Sequence, residues 1–218
     1  MPNADFEISD DPAAAACELL AEADGHVVFT GGSTPRSAYE RVSALRTDWS
    51  GVHIWFTDER AVPPDHEHSN FRMIDEALLS RVEGQVIHRM QGELGPHDGA
   101  AAYREELAEH APEFDQMLIG LGPDAHICSL FPSDDALSER EQPVVGVDTP
   151  GMAPLVPRIT LTFPMVNAAR RRVFLVTGED KAEAVGRAFA SPPDPRAPGS
   201  LVEGEVTVLL DPAAAARL

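Results

Sequence analysis

Asp124 and His126 stand two residues apart in Gly120-Leu121-Gly122-Pro123-Asp124-Ala125-His126-Ile127-Cys128-Ser129-Leu130-Phe131-Pro132. The segment follows an apolar run, Phe114-Asp115-Gln116-Met117-Leu118-Ile119, that reads as a buried strand. Open α/β sheets bind ligands beyond the carboxyl ends of their strands, which places the pair on a candidate binding rim. An imidazole titrates near neutrality and suits a general base, and a neighbouring carboxylate can orient it and stabilise its charged form. Local sequence equally admits a histidine that only hydrogen-bonds a nearby turn. Cys128 could be imagined as a nucleophile beside His126, but buried cysteines are common packing residues.

A second cluster could hold an anion. The short apolar strand His26-Val27-Val28-Phe29-Thr30 runs into Gly31-Gly32-Ser33-Thr34-Pro35, and a helix follows to about Leu45. Glycine lets the backbone approach a ligand. Ser33 or Thr34 can cap the helix, and Pro35 suits its first turn. The helix N-terminus then favours a phosphate, although the same residues would also serve as a plain capped turn. A further strand over 52–57 ends in Asp58-Glu59-Arg60, putting charge on the same rim, and Arg158 opens another strand. Lys181 falls in the first turn of a helix and is the single lysine among 17 basic residues. Its survival points either to a need for a compact ammonium rather than a planar fork or to chance. His66 and His68 sit in a polar, proline-containing loop; no third ligand accompanies them with suitable spacing, and a solvated loop is expected.

The elements that must position these groups alternate. Helical patterns cover 11–23, 71–82, 100–110, 163–169 and 179–189, with a short alanine helix after Asp211. Ser69 and Asn70 cap the second of these. Further strands are expected near 86–90, over 144–147, 158–162, 172–178 and 206–210. Such alternation implies an α/β fold, a single-domain three-layer sandwich with a largely parallel Rossmann-like sheet. No repeat and no long linker divides residues 1–218. A phosphate-suited turn, several cations and a histidine on one rim describe a phosphorylated small-molecule site.

Composition narrows the class. The net charge of −19 argues against nucleic-acid or anionic-membrane binding. There is no apolar stretch of about 18 residues that would span a membrane, and the acidic N-terminus lacks a signal pattern. Two cysteines make no disulfide framework, so a cytoplasmic location is expected.

Taken in order, the motifs resemble the 6-phosphogluconolactonase family. They are Gly31-Gly32-Ser33-Thr34-Pro35; Thr57-Asp58-Glu59-Arg60 with Val62-Pro63 and Ser69-Asn70; the Asp124/His126 segment; Pro157-Arg158-Ile159-Thr160; Gly178-Glu179-Asp180-Lys181; and Leu210-Asp211. The resemblance implies the glucosamine-6-phosphate isomerase type of fold and hydrolysis of 6-phospho-D-glucono-1,5-lactone. In that reading His126 is the general base with Asp124 behind it. Gly31, Gly32, Ser33, Thr34, Arg158, Lys181 and Arg60 hold the phosphate, and Asp58 is a candidate for sugar hydroxyls. It implies no cofactor and no metal, a small phosphosugar lactone as the partner, and a monomer. The related isomerase/deaminase pattern has tyrosine in place of Arg60, and Phe-Asn-Glu-Pro where this chain has Ser129-Leu130-Phe131-Pro132; both differences favour the lactonase. A non-enzymatic sugar-phosphate effector domain is the other alternative, although such regulators normally carry a DNA-binding segment. The family usually has glycine at the position of Ala125, so a left-handed backbone there would cost roughly 1 kcal/mol.

Overall fold

In the computed structural model, which describes residues 2–110 and 113–218, the apolar runs become strands of one wholly parallel sheet. Its strands are β1 (Asn3–Ile8), β2 (Gly25–Phe29), β3 (Val52–Phe56), β5 (Val86–Ile87), β6 (Gln116–Ile119), β9 (Arg171–Val176) and β10 (Glu205–Leu210), arranged β1-β10-β9-β6-β2-β3-β5. The central members β6, β2, β3 and β9 are buried almost throughout, as expected for strands covered on both faces. The helices are α1 (Pro12–Ala21), α2 (Ser33–Leu45), α3 (Asn70–Ala77), α4 (Pro96–His110), α5 (Phe163–Ala168) and α6 (Ala182–Phe189). Asp11 caps α1 and Ser69 caps α3 through their side chains, satisfying amide groups that the first helical turn leaves unpaired. Helices α1, α2 and α3 pack in sequence, one against the next.

Three features differ from the sequence expectation. First, residues 3–8 are not merely an acidic leader but the edge strand β1, paired in parallel with β10 from Asn3 opposite Glu205 to Ile8 opposite Leu210. Second, Asp58–Arg60 is not the tail of β3. It forms its own strand, β4, in a separate antiparallel sheet with β8 (Arg158–Leu161) and β7 (Val144–Val147), in the order β4-β8-β7. Third, the residues after Asp211 make successive turns rather than an alanine helix, because so short a run gains little against the cost of helix nucleation.

Thr57 joins the two sheets: its N–H donates to Phe29 O at 2.9 Å, and its carbonyl accepts from Leu161 N at 2.9 Å. The two tyrosines, both fully buried among the core aromatics, hold strand ends just ahead of the polar clusters. Tyr39 donates to Thr30 O at 2.9 Å and accepts from Thr30 N at 3.0 Å, while Tyr103 accepts from Phe56 N at 3.0 Å. A buried backbone group left unpaired costs about 1–3 kcal/mol, so these hydroxyls fix where β2 and β3 stop. Four adjacent strands, β9-β6-β2-β3, therefore release their chains side by side at one edge. The chain order reverses between β2 and β6, the place where open α/β sheets form a ligand crevice.

Candidate active site

A cavity of about 250 Å³ opens at that reversal, which is room for one small polar molecule. Its wall takes Gly31 and Gly32 from the turn after β2, and Asp58 and Arg60 from β4. Gly120, Gly122, His126 and Ser129 come from the segment after β6, Arg158 from β8 and Lys181 from the turn after β9. Asp124 stands behind His126.

The turn after β6 is built around the imidazole. Asp124 Oδ1 lies 2.5 Å from His126 Nδ1 and also accepts the His126 backbone N–H at 3.1 Å. Burial pushes the Asp124 carboxyl up, but the hydrogen bond and charge of His126 more than offset this and hold it below its usual value. An ionised carboxylate accepts, so Nδ1 donates to it, and in the neutral ring the lone pair is on Nε2. The ring is 17% exposed and packs against Phe131 at 4.6 Å between centroids. A Cβ on Gly122 would overlap the imidazole, so this glycine is required by close approach. Ala125 does take a left-handed backbone, with φ 67°, and Cys128 does too, with φ 51°. Alanine thus tolerates the turn at the cost expected for a Cβ in that region. Burial pushes the Cys128 thiol well above its ordinary value, with Asp58 adding to the effect. A protonated thiol is a poor nucleophile.

The glycine turn after β2 is shaped by packing from outside. Gly32 caps α2 with φ 115°, and a Cβ on Gly31 would collide with the Asn70 amide. No acceptor among the described residues takes the N–H groups of Gly31, Gly32, Ser33 or Thr34. Neither Ser33 nor Thr34 caps the helix; both lie inside its first turn. Both residues line a neighbouring recess, where Thr34 Oγ1 bonds Thr177 Oγ1 at 2.7 Å. Neither lines the cavity itself, whose rim on this side is Gly31 and Gly32.

The cations are placed by the small sheet. Arg60 and Arg158 are directly opposite each other across β4 and β8. Like charges so paired repel. Burial and the neighbouring Arg60 push the Arg158 pKa down to about 10, which leaves it charged at neutral pH. Arg158 donates to Pro154 O at 2.7 Å and Arg60 to His68 O at 2.7 Å, but the Nε of each is buried without a partner. Lys181 completes the group: burial pushes its ammonium down, against the pull of Asp180 and Asp124.

Asp58 is largely committed to the protein, accepting from Thr57 Oγ1 at 2.8 Å and Ser129 Oγ at 2.6 Å. It ties β4 to the His126 segment. Glu59, given no role by sequence reasoning, anchors the start of α3. Its two oxygens accept from Arg60 N, Asn70 N and Phe71 N, each at 2.7 Å, and from Ser69 Oγ at 3.0 Å. Burial pushes this carboxyl up while the four donors act against it. Glu59→Gln should cost about 2–3 kcal/mol, because an amide NH₂ cannot accept from those donors. A fall in Tm of about 4–12 °C in thermal denaturation is the expected reading. Asn70 donates to Asp58 O at 2.9 Å and borders the cavity; its position directly after a capping serine was the available sequence signal. His66 and His68 form a local turn, with His68 N donating to His66 Nδ1 at 3.1 Å.

Residues 8–210 match the model of the family described as glucosamine-6-phosphate isomerases/6-phosphogluconolactonase. Among curated proteins, the 6-phosphogluconolactonase of Nostoc is 37% identical over 205 residues, covering 88% of this chain and 84% of its own. The human 6-phosphogluconolactonase is 39% identical over 177 residues, covering 76% and 67%. Among solved structures, the 6-phosphogluconolactonase of Trypanosoma brucei superposes with a TM-score of 0.83 at 26% identity, covering 100% of this chain and 99% of that one. A monomeric glucosamine-6-phosphate deaminase shares the fold, with a TM-score of 0.85 at 18% identity over the full length of both chains.

Proposed function

The chain belongs to the glucosamine-6-phosphate isomerase/6-phosphogluconolactonase family, and on that premise we propose that it hydrolyses 6-phospho-D-glucono-1,5-lactone to 6-phosphogluconate with His126 as the base. It is an enzyme of the pentose phosphate pathway. The observation that carries the substrate class is the cross-strand pairing of Arg60 and Arg158. The buried Arg158 and the half-buried Arg60, each with an unpartnered Nε and both beside Lys181, fit a bound phosphate, which relieves their repulsion. The free N–H groups at the start of α2 supply more donors to the same anion.

His126 Nε2 takes a proton from water as its oxygen bonds to the lactone carbonyl carbon, forming a tetrahedral intermediate. As the ring C–O bond breaks, the imidazolium returns that proton to the departing ring oxygen, yielding the acid and a free hydroxyl. Asp124 holds Nδ1–H throughout and stabilises the transient positive charge. A lactone is an activated ester, so this one base suffices without a covalent intermediate. The deaminase reading is disfavoured by Arg60 and by Ser129-Leu130-Phe131-Pro132, which contains no carboxylate for ring opening.

The phosphate assignment is tested with Arg158→Met. Losing a charge-assisted contact of about 1.5–3 kcal/mol should lower kcat/KM for the phosphorylated lactone about 10–100-fold, chiefly through KM. Unphosphorylated gluconolactone should be turned over equally by variant and wild type. An equal loss on both substrates would remove Arg158 from phosphate binding.

A further inference from the structure

Histidines gather at the opposite edge of the sheet, away from the lactone cavity. His26 and His53 lie at the start of β2 and β3, and His88 directly follows β5, its N–H donating to Ile54 O at 2.9 Å. Successive ring centroids lie 4.6 Å apart for His26 and His53, 5.1 Å for His53 and His88, and 5.1 Å for His88 and His110. The His88 ring also stacks on Trp55 at 3.8 Å with 7° between planes. His88 Nδ1 faces Glu106 Oε1 at 2.6 Å, and its Nε2 faces His53 Nδ1 at 2.9 Å. Glu106 and His110 are four residues apart on α4 and so share one face. One ligand atom from each of His88, Glu106 and His110 lies within 4.8 Å of the others.

We propose that His88, Glu106 and His110 form a binding site for a divalent transition cation of the zinc class, independent of the lactone cavity. Two imidazoles and a carboxylate are a donor set suited to zinc, with water completing a four-coordinate shell. Ligands at about 2.0–2.2 Å from one tetrahedral ion stand roughly 3.3 Å apart, so the widest pair must close by about an ångström and a half at most, while His88 Nδ1 and Glu106 Oε1, at 2.6 Å, must part slightly. His88 is fixed, at 3% exposure, whereas the side chains of Glu106 and His110 are 39% and 38% exposed and free to rotate inward. On binding, Nδ1 passes to the metal and the His88 proton sits on Nε2, donating to His53 Nδ1. His53 then carries its own proton on Nε2, so each ring keeps one proton. His53 thereby orients the ligating ring, as outer hydrogen bonds do at metal centres. The ion would clip the end of α4 to the β3–β5 edge.

Zinc chloride at a hundredfold excess over its Kd should raise the Tm of the wild-type protein by about 5–10 °C, and cobalt(II) should give the visible absorption of a four-coordinate site. His110→Ala should retain lactonase activity and abolish both signals, while His126→Ala should retain both. The proposal is overturned by the absence of both signals in the wild type, by signals of full size in His110→Ala, or by their loss in His126→Ala.

Discussion

His126→Ala should lower kcat for lactone hydrolysis by about 10²–10⁴-fold, the usual contribution of a positioned general base, with little change in Tm. The imidazole sits at the rim of the cavity, 17% exposed, and its Nε2 has no partner among the described residues. Removing it therefore empties a functional position rather than breaking the core. The phosphate contacts proposed for Arg60, Arg158 and Lys181 are left intact, so KM should move far less than kcat. Circular dichroism and thermal denaturation on the same preparation separate loss of the base from loss of the fold. A variant that remained folded and kept wild-type kcat would remove His126 from the chemistry.

Asp124→Asn should approach the same loss in kcat, again at nearly constant KM. The carboxylate accepts from both Nδ1 and the backbone N–H of His126. An asparagine that turns its NH₂ toward Nδ1 favours the opposite tautomer, with the proton on Nε2, and a protonated Nε2 cannot take a proton from water. The imidazolium formed during turnover also loses its counter-charge. Asp124 is thus proposed as a positioning residue. The distinguishing readout is the double variant: Asp124→Asn combined with His126→Ala should be no slower than His126→Ala alone, because the two act as one unit. Multiplied losses would show that Asp124 acts independently of the ring.

Much of this site could be read along the chain because its parts are local. A strand, a glycine turn and a helix in immediate succession locate Gly31 and Gly32, and Asp124 and His126 meet within one turn. The small antiparallel sheet was not legible. Its strand β4 is three charged residues, Asp58-Glu59-Arg60, whose partner β8 comes far later in the sequence. Only the fold puts Arg60 opposite Arg158. The edge strand β1 carries a faint signal: Ala4, Phe6 and Ile8 alternate with Asn3, Asp5 and Glu7, a period of two obscured by the overall acidity. Ser33 and Thr34 carried the right chemistry for a cap, but Gly32 takes that position, and both residues, in the first helical turn, line a neighbouring recess. The histidines at the other edge come from β2, β3, the residue after β5 and the end of α4, with no common spacing, so only the fold brings them together.

Freshly generated 6-phosphogluconolactone, followed with and without wild-type protein beside a parallel assay for ammonia released from glucosamine 6-phosphate, is the most direct measurement. Lactone should disappear many-fold faster than its spontaneous hydrolysis, with no ammonia above background. Spontaneous-rate decay in the presence of folded protein, or sustained release of ammonia, would contradict lactone hydrolysis as the activity of this chain.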